Sequence, residues 1–100
     1  HDVNVAGVLR ALNFTNMPRP PLCATLLFEL HKMADSSMAV RLLYLNSTDV
    51  LMDIGEPHVL VLDGCSEFCP VEQFIEGYQW LIPDNWEEEC KLGTSDTNNV

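Results

Sequence analysis

The chain opens His1-Asp2, and those two residue types side by side can do acid–base work on an ester oxygen. The pair runs straight into a stretch with helical spacing. The start of a helix offers unpaired backbone N–H groups and the positive end of the dipole, a favourable place for an anion such as phosphate. A histidine there can donate to phosphate oxygens, and a carboxylic acid there can protonate a departing oxygen. On spacing alone, the pair reads as an N-cap aspartate beside a solvated histidine. Two further histidines, His31 and His58, fall on a strand and in a turn and read as structural or surface residues. Cys65-x3-Cys69, preceded by Gly64, is the sharpest local signal. Three intervening residues can bring two α-carbons within the ~4.4–6.8 Å a disulfide requires.

Other chemistries lack their residues. No Gly-x-Ser-x-Gly or Walker-type loop occurs, and no CxxC supplies a zinc-type cluster. The four cysteines, Cys23, Cys65, Cys69 and Cys90, allow three fully paired connectivities. The formal net charge is -10, from 15 acidic against five basic residues, and the arginines and lysines are scattered. Nucleic acid binding needs a basic stripe, so it is set aside. The apolar runs fall far short of the ~20 residues that span a bilayer. With 47% apolar residues and mean hydropathy near zero, the chain is globular in composition. Two sequons, Asn13-Phe14-Thr15 and Asn46-Ser47-Thr48, join an even cysteine count in pointing to a secreted or lysosomal glycoprotein.

The elements that must position these residues follow from periodicity. Val5, Val8, Leu9 and Leu12 make one helical stripe, with Asp2 at the N-cap and Asn13 closing it. Pro18, Pro20 and Pro21 then impose an extended chain. "ATLLFELHK" and "MAVRLLYLN" alternate as strands, and the "ADSS" between them predicts an antiparallel hairpin. Both faces are mostly apolar, which suits strands inside a sheet covered on both sides and hints at chain beyond these residues. "VLMDI" and "HVLVL" are two more short strand candidates. Pro70 opens a helix with Val71, Phe74, Ile75 and Tyr78 on one face, and Gly77 weakens its last turn. "IPDNWEEECKL" reads as a docked tail, with Trp80 and Trp86 as packing anchors. A domain of 1–92 and a polar, disordered tail of 93–100 are expected.

In order along the chain, "HD" plus helix, "PP…FEL", "YLNST", "GCSEFCPVEQF" and "IPDNWEEEC" resemble the histidine acid phosphatases of the lysosomal and prostatic type. The resemblance covers residues 1 to about 92 and rests on collinearity rather than on one motif. It implies the C-terminal portion of an α/β domain, a central sheet with helices on both faces. About two helices and three to four strands would fall in this chain. It implies hydrolysis of phosphate monoesters, at acidic pH and without a metal or other cofactor, through a phosphohistidine. By the resemblance His1 binds the phosphate and Asp2 is the proton donor. The nucleophile belongs to an Arg-His-Gly motif that is absent here, so this chain alone is expected to be inactive and to need an N-terminal part of the same domain. Cys65 and Cys69 would bond to each other, leaving Cys90 for a partner upstream, while Cys23 sits two places from the family's usual cysteine. Glu29 is assigned to the fold. Dimers occur among related enzymes, so a homodimer is left open. The competing expectation is a secreted, catalytically inactive relative that keeps the fold for binding.

Overall fold

The structure, a computed structural model, describes residues 1–47 and 56–91. Its elements are α1 (Asp2–Ala11), β1 (Thr25–Lys32), β2 (Met38–Leu45), β3 (His58–Leu60), β4 (Cys69–Pro70), α2 (Val71–Tyr78) and α3 (Trp86–Glu89). This open antiparallel sheet with three helices is an α/β arrangement. The strand candidate at 50–54 and the tail at 93–100 lie outside the described residues.

Strand β2 is the organising element. It pairs with β1 along eight registered positions, from Thr25↔Leu45 to Lys32↔Met38. Its other edge is shared by β3, through Leu42↔Leu60, and by β4, through Val40↔Cys69. Flanked on both edges, β2 buries Ala39, Leu42, Leu43 and Tyr44, whereas β1 leaves Leu27, Phe28 and Leu30 exposed. The hairpin forms where the alternation predicts it. Ser36 takes a left-handed φ of 72°, and Asp35 Oδ1 accepts from the Ser37 backbone N–H at 3.0 Å. A short polar side chain that bonds its own backbone two residues on is what a tight connection needs.

Cross-strand partners share a face, so Phe28, Leu42 and Leu60 lie together. On that face Leu42, 1% exposed, joins Leu12, Leu62 and Cys69 in the core, with Phe14, Phe74 and Tyr78 packed against them. The end of α1 and the stripe of α2 therefore reach the sheet by the apolar spacing seen in the sequence. Helix α1 stops in a Schellman motif: Asn13 sits at φ 73°, its N–H donates to Arg10 O at 3.0 Å, and the Phe14 N–H to Leu9 O at 2.9 Å. Asparagine tolerates that left-handed turn, which is why the helix ends there.

The tail departs from expectation. Residues 79–91 are exposed throughout, and Trp80, Ile82 and Trp86 are 73%, 69% and 64% exposed. Neither tryptophan anchors packing among the described residues, and residues 82–91 are not docked against them. A 3-10 turn follows α2 through Leu81, and α3 is a single turn capped by Asn85, whose Oδ1 accepts from the Glu88 N–H. Composition made these rings look like core, but burial needs a facing surface, and none of the described elements supplies one.

Candidate functional site

His1 is the N-cap of α1, and its carbonyl accepts from the Asn4 and Val5 N–H groups at 3.1 and 3.2 Å. Asp2 is thus the first helical residue, not the cap. Its Oδ1 accepts from the Val3 N–H at 2.9 Å, and its Oδ2 takes two bonds from Arg19, Nε at 2.9 Å and a terminal guanidinium nitrogen at 2.8 Å. Arg19 arrives from the proline-rich loop, held between Pro18 and Pro20, and is itself largely exposed. The Arg19 hydrogen bonds hold the Asp2 carboxyl below its ordinary value; desolvation opposes them, and the guanidinium charge and the Val3 N–H add to the lowering.

This geometry makes Asp2 an acid that keeps its proton only in acidic solution. It also puts a cation and a histidine at a helix N-terminus, where an anion is favoured. Arg19 is the residue that reading the sequence missed. Seventeen residues separate it from Asp2, so no helical or strand period links them. The three main cavities are lined by neither His1 nor Asp2. Among the described residues, no group of three or more His, Cys, Asp or Glu side chains could hold a metal ion, and no helix is long and apolar enough to cross a membrane.

The other candidates land apart from this pair. His31 Nε2 lies 3.0 Å from Glu29 Oε1, with Arg41 3.6 Å from the same oxygen. Arg41 also binds Glu67 Oε1 at 2.9 and 3.0 Å and lies over the Phe68 ring, which meets His31 edge-on with centroids 5.1 Å apart. These contacts tie the hairpin to the 65–69 loop, so Glu29 and His31 serve the fold. His58 is exposed and pairs with Asn46 at 3.1 Å, and Asn13 Nδ2 donates to Asp63 at 3.1 Å. Cys65 and Cys69 are disulfide-bonded, with α-carbons 5.6 Å apart. Cys23 and Cys90 are free and exposed, and no bond joins them among the described residues.

No family model matches the chain. Curated proteins do. It is 36% identical to rat prostatic acid phosphatase over 95 residues, which is 95% of the chain and 23% of that enzyme. It is 34% identical to bovine prostatic acid phosphatase, over 99% of the chain and 25% of the relative. Human lysosomal acid phosphatase matches at 28% identity over the whole chain and 23% of its own length. The chain belongs to the histidine acid phosphatase family. It spans about a quarter of the length of these relatives. Because each of these matches covers 95% of the chain or more, the hairpin and the Cys65–Cys69 loop fall within all of them.

Proposed function

We propose that this chain is the C-terminal portion of an acid phosphatase that hydrolyses phosphate monoesters and is secreted or lysosomal. The observation that carries the proposal is the near-complete match of the chain to acid phosphatases, with an Arg-paired aspartate beside a histidine at the start of α1. In this reading a histidine in chain outside these residues attacks phosphorus and forms a phosphohistidine. His1 donates to a phosphoryl oxygen. As the P–O bond to the alcohol breaks, the Asp2 carboxyl passes its proton to the departing oxygen, and water then hydrolyses the phosphohistidine. An alkoxide leaves poorly, so an acid beside it lowers the barrier. The Asp2–Arg19 pair fits an acidic working range. Arg19 keeps the carboxyl ionised until the pH is low, and a bound phosphate competes for the same guanidinium, which frees Asp2 to hold a proton. Sequons at Asn13 and Asn46 and the Cys65–Cys69 disulfide suit a protein that passes through the secretory pathway.

The test uses two esters. Asp2→Ala in the intact protein should slow an alkyl phosphate by about 10²–10⁴-fold. It should slow p-nitrophenyl phosphate far less, because nitrophenolate leaves without a proton. Equal losses on both esters would remove Asp2 as proton donor. The 100-residue chain by itself is expected to turn over neither ester, and turnover by it would overturn the assignment of the nucleophile to chain elsewhere.

A further inference from the structure

A groove of about 600 Å³ runs between the end of α1 and the α2 helix with its 3-10 extension. Its walls include Asn13, Asp63, Gln73, Glu76, Tyr78 and Trp80. Two of these residues stand out when considered together. Asn13 is the acceptor position of the Asn13-Phe14-Thr15 sequon and is exposed. Trp80 is 73% exposed although it is the largest apolar side chain in the wall. An open indole beside a groove is a flat apolar face on which a ring can stack.

We propose that this groove is the seat of an N-linked glycan on Asn13, with the first N-acetylglucosamine stacked on the Trp80 ring. The geometry gives each part of the sugar a counterpart. The left-handed turn at Asn13, pinned by the two Schellman hydrogen bonds, fixes where its side chain leaves the backbone. Its Nδ2 faces the groove wall, donating to Asp63 Oδ2 at 3.1 Å. Glycosylation consumes one of the two Nδ2 hydrogens, so the other can keep a bond to Asp63. One face of the N-acetylglucosamine ring presents C–H groups, which pack on the electron-rich face of an aromatic ring. The ring hydroxyls and acetamide need polar partners, and Gln73 and Glu76 line the same wall. Gln73 Nε2 is held by Gly64 O at 2.8 Å, leaving its carbonyl oxygen as an acceptor. Trp80, misplaced when read as a packing anchor, has in the glycan an occupant that the sequence itself encodes. The competing occupant is further polypeptide of the intact protein.

The experiment produces the intact protein in a secretory eukaryotic host and reads single residues by mass spectrometry after hydroxyl-radical oxidation. Asn13 should carry a glycan. Trimming that glycan to a single N-acetylglucosamine should leave Trp80 oxidation unchanged, whereas complete removal should raise it at least threefold. Trp86 should not change and serves as the internal control. A Thr15→Ala variant, which abolishes the sequon without touching the groove wall, should show the same rise. An unmodified Asn13 overturns the proposal. So does a Trp80 whose oxidation is indifferent to glycan removal, which would mean that polypeptide or solvent fills the groove. Neither readout depends on phosphatase activity, so this inference and the proposed function fail separately.

Discussion

Cutting the Cys65–Cys69 bond tests how much of the sheet's stability resides in one short loop. The perturbation is Cys65→Ser, with Cys23 and Cys90 left as they are and mispairing of the freed Cys69 checked by peptide mapping. The Cys69 sulfur stays in place, and this matters because Cys69 is 2% exposed and packs with Leu12, Leu42 and Leu62. The loss then comes from the unfolded state. With a sequence separation of 4, the loop-closure relation gives about 2 kcal/mol at 25 °C. That is roughly a thirtyfold change in the folded-to-unfolded ratio, by the rule of a factor of ten per ~1.4 kcal/mol. Urea unfolding of the intact protein followed by circular dichroism would show it as a lower midpoint at unchanged slope. A loss below about 0.5 kcal/mol would mean that the loop stays restricted in the unfolded chain even without the bond. A loss above about 4 kcal/mol would mean that β4 and the core depend on the bond directly, which chain entropy does not explain.

Arg19→Gln should raise the Asp2 carboxyl back toward the ordinary carboxylate value, read by NMR titration of that side chain. The sign follows from a depressed folded value: the pair stabilises the fold above the unfolded pKa, and that contribution is lost as pH falls through the lower, folded pKa. The variant should lose this acid-side decline, and an unchanged Asp2 titration would show the pair is not formed in solution. Gly77→Ala should stabilise the protein by about 1 kcal/mol. A Cβ there meets no atom within 4 Å, and the residue is helical. A melting temperature that falls would refute this.

How much was legible beforehand depends on whether a feature rests on local or distant neighbours. The α1 stripe and its stop at Asn13, the hairpin around "ADSS", and the helix opened by Pro70 all express preferences within a few residues. So does the Cys65–Cys69 loop, because four residues of separation leave the two sulfurs little room to be far apart. The apolar faces of both hairpin strands were read as a covered sheet, and that holds for β2 but not for β1. Among the described residues, one strand has neighbours on both edges and the other does not.

His1 and Asp2 drew attention through their chemistry and their place before a helix, which the sequence contains. That Asp2 would be a paired carboxylate was not there to be read. Its partner lies seventeen residues on, past Pro18 and across a turn, and only the path of the folded chain brings the guanidinium to it. Trp80 shows the same limit from the other side. Its hydrophobicity is intrinsic to the residue, but burial belongs to the surface facing it, and the described fold leaves the indole open beside a sequon asparagine. Secondary structure, the short disulfide and the family pattern are written in spacing, because backbone and side-chain preferences act over a turn or two. Charge pairing and exposure were decided by tertiary structure, because they depend on which distant segments meet.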